Sequence, residues 1–263
     1  MEKIALPKNI KFEKGEKAHE GVVVVEPCYP GYGVTLGNSL RRVLISSLPG
    51  AAVVGVKIKG ADHEFMTVPN VKEDVLEILL NLKQLRLKVY SDEEIRLTLK
   101  VHGEKEVTAA DIEKNAEVEV INTDMVIGHI TDMSGSLEME IVVQSGRGYE
   151  TIESRERAVK HEIGYIEVDS PYSPILNVGI NVESVRVGKM TNWDKLILTI
   201  TTDGTISVED AFKQSVEVLI NQFQALAAIQ SGESVKEVVE GVAEVIEDEE
   251  EEKKPRGRKK EED

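Results

Sequence analysis

Gly31, Gly33 and Gly37 lie in GYGVTLGNSLRRVLISSLPG (31–50), where a glycine-rich loop ahead of a helix could cradle a phosphate. The spacing argues against that chemistry. Gly-x-Gly-x-x-x-Gly is not the GxGxxG of dinucleotide sites, and no Gly-Lys-Ser/Thr follows. These glycines read better as turn and close-packing positions, and SGRGYE (145–150) reads likewise as a β-turn. His19, His63, His102, His129 and His161 form no HExxH pair and have no cysteine partners, so no metal site is expected. There is no GxSxG elbow and no local signature of a cysteine nucleophile. Acidic side chains number 48 in 263 residues, so a pair of them identifies nothing. No catalytic residue, cofactor or metal is expected.

What remains to explain is Arg41-Arg42, two guanidinium groups side by side among leucines. A rigid five-donor fork suits a carboxylate or backbone carbonyls across a protein interface. The element that positions them is a helix from Thr35 to Leu48, stopped by Pro49-Gly50. At ~100° per residue, Leu36, Leu40, Val43, Leu44 and Leu48 share one face. Asn38, Arg42 and Ile45 lie opposite, with Arg41 at the border. That outer face is either an interface or a solvated face with one stray isoleucine.

Two further segments have helical spacing. NVKEDVLEILLNLKQLRLK (70–88) starts at an Asn70 cap and carries the stripe Val71, Val75, Ile78, Leu82 and Leu85. Its acids come early and its bases late, as the macrodipole prefers. SVEDAFKQSVEVLINQFQALAAI (207–229) opens on Ser207 and Asp210, a capping-box variant. One stripe is Val208, Phe212, Val216, Leu219, Phe223 and Leu226; a second is Ala211, Val218, Ala225 and Ile229. A helix apolar on two sides is either central to a large core or held between its own sheet and a partner. The small alanines of the second stripe favour a homodimer seam.

Runs alternating with period two mark strands at 53–60, 94–101, 117–122, 137–144, 180–187 and 194–204. Many strands with few helices give an α+β fold with mainly antiparallel sheets. One cysteine, Cys28, excludes an internal disulfide and fits a reducing, cytoplasmic setting. The N-terminus has no apolar h-region, and no run approaches the ~20 apolar residues of a membrane span. Net charge is −16; residues 231–263, with 13 acidic and 7 basic side chains, hold −6 of it and leave −10 on the body. An acidic body is repelled by phosphate backbones, so contact with other proteins is the expected mode.

VEPCYPGYGVTLGNSLRRVLISSLPGAAV (25–53) resembles the signature helix of the bacterial RNA polymerase alpha family, in its amino-terminal domain. The likeness continues through KEDVLEILLNLKQL, VTAADI, VQSGRGY, VDSPYSPILNVGINVESVRVG and DKLILTITTDGTI, covering about residues 10–230 in order. The resemblance implies a non-catalytic subunit of a nucleotidyltransferase. It homodimerises and recruits the beta and beta-prime subunits, with omega and sigma in the holoenzyme. It implies a dimerisation subdomain of a sheet plus two long helices, residues 1–49 and 176–231, and an inserted, mainly β subdomain, 50–175. The beta contact falls on Asn38, Arg42, Ile45, His63, Glu64 and Phe65. The beta-prime contact falls on Lys83, Val168 and Ser173. The dimer contact falls on Leu36, Arg41, Ala211, Val218, Ala225 and Ile229.

The family's usual carboxy-terminal DNA-binding domain has no counterpart after residue 230, and 232–263 is expected to be a charged, disordered tail. Its Arg256-Gly257-Arg258 resembles the core of a minor-groove hook, but Lys259 stands where the second flanking proline belongs and acidic residues adjoin, which favours a solubilising charged tail. Two other functions stay open on the residues alone: an enzyme of unassigned activity on a β-rich scaffold, and a DNA-binding regulator acting through the tail.

Overall fold

The period-two runs fold as antiparallel strands of two four-stranded sheets and three short ribbons. The structure is a computed structural model describing residues 4–91, 93–155 and 163–231, the last four by backbone alone. β1 (Asn9–Lys14) and β2 (Glu20–Cys28) precede α1 (Tyr32–Ser46). β3 (Pro49–Ile58), α2 (Val75–Leu82) and β4 (Leu87–Val89) follow. Next come β5 (Ile95–His102), β6 (Lys105–Thr108), β7 (Val118–Val120), β8 (Val126–Ile130) and β9 (Ser136–Arg147). β10 (Tyr149–Glu150), β11 (Tyr165–Glu167) and β12 (Ser170–Pro171) lead to the hairpin of β13 (Ile175–Val187) and β14 (Met190–Thr202). α3 (Val208–Ser231) is the last described element. The fold class is α+β. Residues up to Ser215 form one compact unit, and the rest of α3, from Val216, is the described part of a second.

The first sheet has the order β1-β2-β14-β13. Residues opposite one another in an antiparallel pair share a face, and Leu196 opposes Val25 while Leu198 opposes Val23. All four are buried, as is Ile200. α1 lies on this face through Gly33, Gly37, Leu40 and Leu44. The approach is close: a methyl at Gly37 would lie 2.8 Å from Leu196 Cδ1. The first turns of α3 cover the same face further along, with Val208 over Gly21 and the Phe212 ring edge-on to Phe12 at 5.8 Å.

The second sheet has the order β11-β3-β9-β5. Its inner side, with α2 and the ribbons β4-β7 and β6-β8, closes the largest apolar cluster, built around Ile78, Leu82, Leu99, Ile127, Leu137 and Ile141. That cluster draws only on residues 51–168.

Three local expectations are corrected. α1 starts at Tyr32, earlier than Thr35, because Asp194 accepts hydrogen bonds from the Gly31 and Gly33 N–H groups at 2.9 and 3.0 Å. α2 is eight residues long, and its cap is Asp74, whose side chain accepts from Glu77 N–H at 2.7 Å. Asn70 instead takes a positive φ of 62°, and Lys72 N–H donates to the His129 carbonyl at 3.0 Å, so 70–74 belong to a turn against β8. Gly148 makes a single bend from β9 into β10, which pairs with β12, and not a two-strand turn. Of the capping box expected on α3, one half is seen: Asp210 N–H donates to Ser207 Oγ at 3.1 Å, while the Asp210 carboxylate takes the Ser207 hydroxyl, at 2.6 Å, in place of the backbone N–H.

Candidate subunit-docking surfaces

α1 has one face fixed by the sheet below it, and that geometry turns Asn38, Arg41, Arg42 and Ile45 to the exterior. The Asp194 bonds hold its N-terminus where no side chain of its own does, since Gly31, at φ 84°, supplies no cap. Among the described residues neither guanidinium has a hydrogen-bond or ion-pair partner. Two unpaired forks beside an exposed isoleucine form a surface with donors to offer and apolar area to cover. Val34, on the same helix, is also exposed.

A second surface is a groove of about 460 Å³ between α2 and the segment running from β11 to β12. One bank carries Asp62, His63 and Glu64; the other carries Tyr165, Glu167, Val168 and Asp169; Leu76, Leu80 and Lys83 come from α2. The β11–β12 bank is pinned to an irregularity of β3: Val168 N–H donates to the Val54 carbonyl at 3.0 Å and Ser170 Oγ to the Val53 carbonyl at 2.7 Å. Asp169 ties three segments together. Its Oδ1 accepts from Ile152 N–H at 2.9 Å, and its Oδ2 accepts from Tyr149 Oη at 3.3 Å and Lys83 Nζ at 3.5 Å. The Ile152 bond, with the Lys83 charge, holds its carboxyl below the usual range despite partial burial. Burial, reinforced by Glu94, pushes the Tyr165 phenol up to about 12, so it stays neutral and a donor.

The structure thus brings His63, Glu64, Lys83 and Val168 into one groove. Phe65 stands beside it, 77% exposed, its N–H donating to His63 Nδ1 at 3.2 Å. Val168 is only 2% exposed, so it contributes a wall through its backbone and not a side chain to grip. Ser173 lies elsewhere, its N–H on the Gly148 carbonyl at 3.2 Å. Ala211 is 0% exposed within its own chain, which removes its side chain from any contact with a second copy. Leu36, Val218 and Ala225 are half-buried, and the Ile229 side chain and all of 232–263, with Arg256, Gly257 and Arg258, fall outside the described residues. The apolar residues that α3 does expose are Ile220, Phe223 and Leu226, the last two at 62% each. Helical spacing places Phe223 and Leu226 on the first stripe, not on the alanine stripe expected at the dimer seam, and Leu76 and Leu80 were not singled out. For the two leucines there was a signal: VLEILLNL (75–82) is apolar on more than one face.

Cys28 is buried, its thiol pushed up by burial and then by the Asp194 charge. His129 sits against Glu73 at 2.7 Å. Among the described residues no three metal-ligating side chains gather.

Residues 56–173 match the RNA polymerase Rpb3/RpoA insert domain, which defines the class: a chain built around the insert of a polymerase subunit. The match extends well past that insert in whole-chain relatives. The chain is 46% identical over 253 residues to a DNA-directed RNA polymerase subunit alpha of Desulforamulus reducens, covering 96% of this chain and 78% of the relative. It is 50% identical over 204 residues to that of Carboxydothermus hydrogenoformans, covering 78% and 64%. It is 44% identical over 241 residues to that of Heliobacterium modesticaldum, covering 91% and 76%. The chain belongs to the DNA-directed RNA polymerase subunit alpha family.

Proposed function

We propose that this chain homodimerises and holds the beta and beta-prime subunits together, with RNA synthesis from ribonucleoside triphosphates a property of the assembled polymerase. One observation carries the reading: the two long helices present outward residues that a lone chain has no use for. α1 exposes Arg42 and Ile45, and α3 exposes Ile220, Phe223 and Leu226. Large apolar side chains in a row on one helix are the pattern of a helix–helix seam, which suits the second copy. The α1 face of Asn38, Arg42 and Ile45 suits beta. Arg41, at the border of that face, suits the dimer.

The division into a dimerisation part, 1–49 and 176–231, and an inserted part, 50–175, is part of this proposal. The apolar cluster confined to 51–168 supports it. Omega and sigma join in the holoenzyme. The cytoplasm is the proposed location; among the described residues no helix is long and apolar enough to cross a membrane. Arg256, Gly257 and Arg258 carry no part of this reading.

Mixing the purified chain with beta and beta-prime tests it: an active core enzyme should form. Arg42→Ala should keep the dimer in sedimentation and lose beta. A normal yield of full complex from Arg42→Ala would remove α1 from the beta interface.

A further inference from the structure

The proposed division puts both covalent crossings between the inserted and the dimerising parts at one place. The chain enters the insert at Pro49-Gly50 and leaves it at Ile175-Leu176. These joints lie side by side: a Cβ at Gly50 would sit 1.8 Å from the Tyr172 carbonyl oxygen and 3.2 Å from Pro174 Cδ. Two crossings packed together act as a hinge, because nothing covalent away from them resists rotation. Beside the hinge is a cleft of about 580 Å³. Gly50 and Ala51 of β3 and Leu87 and Val89 of β4 line one side, and Ile206 and Gln214, before and within the first turns of α3, line the other. The cleft leaves room for the two parts to close or open.

Arg86 ties the two parts together. Its backbone is fixed within the insert: its N–H donates to Asn122 Oδ1 at 2.8 Å, and its carbonyl accepts from Ile121 N–H at 2.9 Å. Its side chain leaves the insert, and Nη1 donates to the Asp203 carbonyl at 2.8 Å. That carbonyl is itself held. Asp203 N–H donates to the Pro174 carbonyl at 3.0 Å, and Asp203 Oδ1 accepts from Thr205 N–H at 2.9 Å. The Asp203 carboxylate is turned into its own bend before α3, so the guanidinium meets a backbone acceptor. Both ends of the tie are anchored, and the bond is charge-assisted and part-buried. We infer that Arg86 is a positioning residue: it locks the hinge and so sets the angle at which each insert presents its surface to a large subunit. The inference rests on the proposed role as an assembly platform and on its division of the chain. Such a latch acts on populations. Losing a hydrogen bond from a charged group raises the other angles about tenfold or more relative to the locked one. Apparent affinity then falls with the fraction of molecules still at the competent angle.

The test uses full-length dimer carrying spin labels at Lys114→Cys in the insert and Thr191→Cys near the tip of the β13–β14 hairpin, both exposed positions. Cys28, the one native thiol, is buried and out of the label's reach. Labelled chain is diluted with unlabelled chain, so that each dimer reads a distance within one protomer. Wild type should give a single narrow distance distribution. Arg86→Met keeps an apolar stem and removes the donor. It should broaden or shift the distribution and weaken binding of beta or beta-prime about tenfold, with dimer formation and circular dichroism unchanged. Arg86→Lys, which keeps a charged donor, should recover part of both effects. Asp203→Asn should match wild type, because the acceptor is the backbone carbonyl. An unchanged distribution in Arg86→Met would overturn the latch. A broadened distribution with wild-type affinity for both large subunits would overturn its part in assembly. Failure of the wild-type dimer to bind either large subunit would instead refute the platform reading, on which the distance measurement does not depend.

Discussion

Asp194 caps a helix from the far end of the chain, and replacing it tests how α1 is held. Asp194→Ala removes the acceptor for the Gly31 and Gly33 N–H groups. The Gly31 N–H is exposed and returns to water, a net loss of about 1 kcal/mol. The Gly33 N–H is part-buried beneath the helix and loses a charge-assisted bond of about 1.5–3 kcal/mol. The sum, about 2.5–4 kcal/mol, corresponds to a fall in Tm of roughly 5–15 °C for a chain of this size. Asp194→Asn keeps an acceptor and loses mainly the favourable charge at the helix N-terminus, about 1 kcal/mol. Urea denaturation at fixed protomer concentration reads both values from midpoints at unchanged slope. The expected order is wild type, Asn, Ala. An alanine variant within about 0.5 kcal/mol of wild type would refute the assignment of α1's position to this residue.

Gly50→Ala should be more damaging than its exposure suggests, because a Cβ there would sit 1.8 Å from the Tyr172 carbonyl oxygen, a backbone atom unable to step aside. A loss of about 3 kcal/mol or more is expected, measured by the same urea titration. Glu73 is expected to set part of the acid limit. Burial alone would raise its carboxyl, but hydrogen bonds from the His129 N–H and ring outweigh it and hold it below 4.5. A depressed carboxylate contributes stability above its unfolded value, lost as pH falls through the folded one. Stability should therefore drop on acidification below about pH 4.5, and Glu73→Gln should flatten that part of a urea-midpoint profile.

Much of the fold was legible because alternation and helical spacing are local signals. The runs at 94–101 and 137–144 became β5 and β9 with little change of bounds. β2 was missed because its four consecutive valines do not alternate, so the run carries no period-two signature. α2 was drawn too long because the turn at 70–74 keeps apolar Val71 on helical spacing while bonding to β8. The outward turn of Asn38, Arg42 and Ile45 on α1 was legible, since one helix contains all three, whereas exposed Val34 lay ahead of the expected start at Thr35. The groove was not. It gathers the loop at 62–64, α2, Ile152 and the 165–169 segment, and no window of sequence contains two of its banks.

The Gly33–Asp194 bond has a consequence for how the chain is made, since 161 residues separate its partners. At about 5–20 residues per second, the ribosome takes roughly 10–30 s to deliver Asp194 after Gly33. Throughout that interval the nascent β2 has only β1 beside it, and Leu40 and Leu44 have no hairpin to cover them. The cluster of 51–168 can close meanwhile, so the middle of the polypeptide matures before its beginning. Proteolysis of chains stalled just before β13 should clip α1, and chains stalled beyond α3 should resist.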